Sequence, residues 1–120
     1  MIKKILENHG HVITLPNTYR YPAAERKYRE LGYKQHSEWK AGMFRQSLKN
    51  IENNDAVLVL NFEKNKIPNY IGGATFIEMY DAFRLKKKIF LYNDIPTGIF
   101  KDEIIGFNPT VIHGELDKII

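Results

Sequence analysis

The sequence contains no cysteine, which excludes disulfides and thiolate metal sites and suits a reducing cytoplasm. No apolar run approaches the roughly 20 residues that a membrane span needs. The opening MIKKILENHGH is too polar for a secretory signal peptide. Repeats, low-complexity tracts and linker-like stretches are missing too. These absences predict a single domain over residues 1–120, cytoplasmic and without a membrane partner. Hydrophobic residues make up 43% of the chain, enough to build a core without covalent staples.

Charge is present but spread. The net value of +4 could suit an anionic ligand such as a nucleotide, and it fits a solvated surface with a modest lysine excess equally well. The basic run Lys86-Lys87-Lys88 follows a predicted helix. There cations complement the helix dipole, so no polymeric nucleic acid is needed to explain it.

In chain order, Ile2, Ile5 and Leu6 share one face of a helix over residues 1–8, which Gly10 stops. His11–Leu15 (HVITL) reads as a short buried strand closed by Pro16-Asn17. Residues 18–33 interleave Tyr19, Tyr21, Tyr28 and Tyr33 with Arg20, Arg26, Lys27 and Arg29. Such a pattern can stack bases and hold phosphates, or it can cap a core with tyrosines. Ala23–Leu31 can be helical after Pro22, with Gly32 as its interruption. Ser37–Asn54 reads as a long helix with Ser37 as N-cap and Phe44, Leu48 and Ile51 as its buried stripe, flanked by Trp39 and Met43. After residue 92 come a turn (93–98), a short helix (102–105), a last strand near 111–112 and a terminal turn at 115–120.

The chain is organised around residues 55–92. Asp55–Asn61 is a near-continuous apolar run, expected as a central strand covered on both faces. The polar loop FEKNKIPNY follows. Gly72-Gly73 then open a helix whose Phe76, Met79, Tyr80 and Phe83 fall at i, i+3, i+4, i+7. Ile89–Tyr92 is a second strand. This βαβ unit forces its strands to be parallel, and ligands in such sheets collect at the carboxyl ends of the strands. The segment Asn61–Glu78 is expected at that edge.

Gly72-Gly73-Ala74-Thr75-Phe76-Ile77-Glu78 is the most specific signal. Glycines allow a tight turn and close backbone approach to a sugar or phosphate. Glu78, about one turn into the helix, could attack an anomeric carbon or stabilise an oxocarbenium ion. Thr75-x-x-Glu78 is also a capping box, in which both side chains satisfy free helix N–H groups. Both readings stand on spacing alone. His9 and His11 are too close for a helical metal pair, and His36 and His113 have no carboxylate or histidine at ligand spacing. No metal site and no cofactor are expected.

Residues 55–96, DAVLVLN…NYIGGATFIEMYDAF…KKIFLYNDIP, resemble the nucleoside 2-deoxyribosyltransferase-like superfamily, and GHVITLPN (10–17) resembles that family's second strand. The resemblance implies an α/β fold: a flavodoxin/Rossmann-like three-layer sandwich with a parallel sheet of about four strands, lacking the family's first strand. It implies a nucleoside or nucleotide N-glycosidic transferase or hydrolase with Glu78 as the nucleophile. Asn61, Gly72, Gly73 and Thr75 are the candidate substrate-binding residues. The alternative is a non-catalytic nucleotide-binding module or fragment of the same fold. Gly72 stands where the family has an aspartate or a phosphate-contacting serine, Ala74 at its middle glycine and Ser47 at a second aspartate. Only Glu78 matches the usual catalytic set. Family members are typically oligomers, so a homodimer or higher oligomer is implied, in a chain shortened at its start.

Overall fold

The computed structural model describes residues 1–16 and 23–120. Tyr19, Arg20 and Tyr21 of the aromatic–basic stretch, with Asn17 and Pro22, lie outside the described residues. The chain divides into two compact units, Met1–Asn50 and Ile51–Ile120. Among the described residues no helix is long and apolar enough to cross a membrane.

The first unit is helical. Helix α1 spans Ile2–Asn8 and buries Leu6, and Gly10 turns the chain with φ +93°. The strand expected at 11–15 does not form. His11–Pro16 is irregular, although its side chains alternate between half-buried and exposed, with Val12 88% exposed. Alternation records which way side chains face; a strand also needs a neighbouring edge, and among the described residues this segment joins none.

Helix α2 spans Ala24–Leu31, and α3, Tyr33–Glu52, restarts the chain one residue later. Gly32 makes the break with φ +127°, a backbone angle that suits glycine, and its carbonyl accepts the His36 N–H at 3.0 Å. That bond places Ser37 inside the first turns of α3, so it is not the N-cap. Tyr28 of α2 stacks on Trp39 of α3 at 5.6 Å between ring centroids. One carboxylate oxygen of Glu25 accepts from His36 Nε2 at 3.0 Å and Lys40 Nζ at 3.1 Å, with Arg29 at 3.5 Å. The last turn of α3, from Ile51, belongs to the second unit.

The second unit is a parallel α/β layer. Strands β1 (Ala56–Val59), β2 (Lys88–Leu91) and β3 (Thr110–Val111) pair in the order β1-β2-β3, with Val57 opposite Ile89 and Leu91 opposite Val111. Helix α4 (Gly73–Arg84) crosses from β1 to β2, and α5 (Lys101–Gly106) crosses from β2 to β3. A single 3₁₀ turn, Leu116–Lys118, follows. The expected parallel pairing of the β1 and β2 segments is present. The central strand is β2, however, with Ile89, Phe90 and Leu91 all buried, and β1 has one strand neighbour among the described residues. Among the described residues the sheet has three strands, against about four expected.

Buried residues Ile51, Val59, Ile71, Met79, Ala82, Ile89, Leu91 and Ile104 form one apolar cluster. Full burial of a side chain the size of Met79 or Leu91 contributes about 1.5–3 kcal/mol. The apolar stripe expected on α4 splits in two. Met79 and Ala82 are fully buried, while Tyr80 and Phe83 are nearly half exposed. Phe76, Tyr80 and Phe83 instead form a ridge at i, i+4, i+7 that leans on Phe107, just past α5. Helix α4 ends in a Schellman turn: Lys86 adopts φ +58°, its N–H reaches Phe83 O at 3.1 Å, and the Lys87 N–H reaches Ala82 O at 2.9 Å.

Candidate functional site

The carboxyl ends of the three parallel strands lead into Asn61, Tyr92–Asp94 and Ile112–Gly114. Asn61 follows β1 and has no solvent exposure. Its Nδ2 donates to Asn93 O at 3.0 Å and Asp94 O at 2.9 Å, and its Oδ1 accepts the Asn93 N–H at 2.8 Å. The Asn93 side chain donates back to Asn61 O at 3.2 Å. Both amide donors of Asn61 and one oxygen lone pair are thus engaged. The residue expected to meet substrate is turned inward, where it ties the end of β1 to the loop after β2.

The loop from β1 to α4 is partly ordered on its own. Lys64 and Ile67 exchange backbone hydrogen bonds of 3.1 and 2.9 Å across Asn65 and Lys66, whose φ angles of 51° and 65° make a tight primed turn. The Lys64 ammonium lies 5.3 Å from the centroid of the Tyr70 ring. A Cβ on Gly72 would come within 3.3 Å of that ring, so glycine is what lets Tyr70 lie against the turn.

Gly72 is the N-cap of α4, in extended conformation, and its carbonyl accepts the Phe76 N–H at 2.9 Å. Thr75 is therefore the third residue of the helix, and the expected capping box with Thr75 as N-cap is not made. Among the described residues no side-chain hydrogen bond caps this end. The N–H groups of Gly73, Ala74 and Thr75 have no intrahelical acceptor, and they sit at the positive end of the helix dipole. The structure brings Gly72, Gly73 and Thr75 into one turn at the carboxyl edge. Glu78 is half-buried on the same helix, about 7.5 Å further along its axis from Gly73 by helix rise.

One pair at this edge is absent from the sequence reading. His113 Nδ1, after β3, lies 3.6 Å from Asp94 Oδ1, after β2, and both side chains are mostly exposed. Glu25 and His36 form a second carboxylate–histidine contact among the described residues. Local spacing shows neither, because each partner comes from a different element. Tyr92 packs edge-on against Phe62 at 5.0 Å and meets Gly114, whose φ of +76° turns the chain after β3. Among the described residues no group of three His, Asp or Glu side chains is arranged to hold a metal ion. No family model, curated protein or solved structure matches the chain.

Proposed function

We propose that the carboxyl edge of the second unit binds a nucleoside or nucleotide, and that Glu78 acts on its N-glycosidic bond. The observation that carries this reading is the start of α4, with no side-chain cap among the described residues: Gly72 to Thr75, set just beyond β1 of a parallel sheet, where helix N–H groups lack intrahelical acceptors. Those groups hold a sugar hydroxyl or a phosphate. Asn61 shapes the edge through residues 93–94 and does not touch the ligand. In the proposed step a Glu78 oxygen bonds to the anomeric carbon as the carbon–nitrogen bond breaks, and the electron pair leaves with the base, which takes a proton. Asp94 and His113 are the candidate source of that proton. Water or a second base then releases the sugar. In this reading β1, β2 and β3 are the last three strands of a flavodoxin-like three-layer order, and the protein works in the cytoplasm as a homodimer or higher oligomer.

A second reading, binding without turnover, is favoured by the engagement of Asn61 and by Gly72 at the position where an aspartate would stand. One experiment separates the two. The full chain is incubated with a panel of deoxynucleosides and their 5′-monophosphates, free base is followed by chromatography, and binding is followed by calorimetry. Base release that is lost in Glu78→Gln, with an unchanged melting temperature, supports catalysis. Saturable binding without base release supports the binding module. Neither binding nor release refutes both.

A further inference from the structure

Two hollows share Phe83 and Phe107: one runs along α4 beside α5 from Phe76 to Phe83, and the other lies at the amino ends of β2 and β3. One, of about 460 Å³, is walled by Phe76, Tyr80, Phe83, Gly106 and Phe107, with Glu103 its one charged residue. The other, of about 600 Å³, adds Lys86, Lys87, Lys88 and Lys118 around Ile89 and Phe90. Together they form one groove with an aromatic half and a lysine half. Tyr80 and Phe83 remain 46% and 48% exposed along it.

The two halves select an occupant. Phe76 stacks on Phe100 at 4.2 Å, and Phe107 leans on Phe76, Tyr80 and Phe83 at 5.5, 6.2 and 5.6 Å. The Arg84 guanidinium lies 5.3 Å from the Tyr80 ring centroid. Phe76 uses one face on Phe100 and Arg84 lies over Tyr80, while Phe107 meets its three neighbours at a tilt, so a nucleobase finds no flat platform of parallel rings. What they offer is a slot of ring edges along the i, i+4, i+7 ridge of α4, which matches a row of apolar side chains on a second helix. The lysine half is only partly neutralised. Among the described residues, Lys86 and Lys87 have no carboxylate at ion-pair distance. Lys87 instead donates to the backbone carbonyl of Glu52 at 3.3 Å, and Lys88 to the backbone oxygen of Ile120 at 3.2 Å. Lys118 does have an acid, Glu115, at 2.6 Å.

We propose that this groove docks an acidic amphipathic helix of a partner protein. Its apolar side chains, at i, i+4 and i+7, fill the aromatic half, and its carboxylates face Lys86, Lys87 and Lys88. Gly106 keeps the slot open: a Cβ added there meets no atom within 4 Å. Gly106→Leu therefore starts its side chain in open space and extends it into the groove that Gly106 lines, and it raises helix propensity at the end of α5.

The test uses three labelled helical peptides that share leucines at i, i+4 and i+7 and differ in polar-face charge, carrying glutamate, glutamine or lysine. Each is titrated into the full chain by fluorescence anisotropy, alongside a uridine decanucleotide and phosphatidylserine vesicles. The glutamate peptide is expected to bind at least about tenfold more tightly than the lysine peptide, with the difference shrinking as salt rises. Gly106→Leu and the double variant Lys86→Glu/Lys88→Glu, both folded by circular dichroism, are each expected to lose that binding. Equal affinity for the three peptides overturns the proposal, as does unchanged binding by Gly106→Leu. Preferential binding of the decanucleotide or the vesicles, or self-association relieved by Gly106→Leu, assigns the groove to another occupant and also overturns it.

Discussion

Asn61 and Asn93 hydrogen-bond each other in both directions: the Asn93 N–H donates to Asn61 Oδ1 at 2.8 Å, and Asn61 Nδ2 donates to Asn93 O at 3.0 Å. The clasp joins the end of β1 to the end of β2. It extends the parallel ladder through a side chain after the regular strand has stopped, and it fixes the loop that carries Asp94. Removing it leaves the Asn93 N–H without its acceptor in a half-buried place. Asn61→Ala is expected to destabilise the chain by about 1–3 kcal/mol. Asn61→Asp is expected to do more harm, because the donor facing two carbonyl oxygens becomes a third oxygen. Urea denaturation of the full chain checks both; an Asn61→Asp variant as stable as the parent refutes the account.

Acid should weaken the first unit through Glu25. The His36 hydrogen bond, foremost, holds its carboxyl below the ordinary 4.5, helped by the Lys40 hydrogen bond and charge and the Arg29 charge, against desolvation, the second-largest effect. A carboxyl whose folded value is lowered contributes stability that is fully present above its unfolded value. That stability is lost as pH falls through the lowered folded value. Melting curves taken downward from pH 6 are expected to show a steeper loss below about pH 4.5 for the parent than for Glu25→Gln. Parallel curves for the two refute the linkage. Glu115 is also lowered, by Lys118, but it is fully exposed and is expected to add little.

Lys86 closes the α4 Schellman turn at φ +58°, a position where glycine is normally favoured. Relief of the left-handed backbone outweighs the extra freedom gained by the unfolded chain. Lys86→Gly is expected to raise stability by up to about 1 kcal/mol in urea titrations. Gly114 carries the opposite expectation. Its φ is +76° and a Cβ would lie 3.4 Å from the Tyr92 hydroxyl, so Gly114→Ala should cost about 1–2 kcal/mol.

The features legible in the sequence were those carried by a local rule. Gly10 and Gly32 mark chain reversals because their backbone angles exclude most other residues. The run at 89–91 is wholly apolar and is a buried strand, although its central place, expected for 55–61, shows only in the strand order. The βαβ order forces parallel pairing. What was hidden depends on partners distant in sequence. HVITL has strand chemistry, and among the described residues no strand pairs with it. Thr75-x-x-Glu78 has capping spacing, but the helix starts earlier, at the glycines. Asn61 reads as a polar residue at a strand end, and only the folded chain shows its partners, 32 and 33 positions away. Asp94 and His113 meet because two parallel strands end side by side.

The free edge of β1 yields the last prediction. Asp55 O and Val59 O accept the Lys88 and Tyr92 N–H groups, so alternation turns the N–H and C=O of Ala56 and Leu58 away from β2. Among the described residues no strand pairs with that side. The edge is short, but Val57 and Val59 are good strand formers, and unpaired edges are templates for association. Residues 11–15 form no strand, and dimerisation is the route by which such an edge is closed. Sedimentation at micromolar concentration is therefore expected to show a dimer. Ala56→Pro is expected to shift it towards monomer while leaving the β1–β2 ladder intact, because proline is tolerated at the first residue of an edge strand and the N–H it removes faces outward. A monodisperse monomeric parent refutes the dimer. A dimer unaffected by Ala56→Pro but dissolved by Gly106→Leu moves the contact from the β1 edge to the aromatic groove.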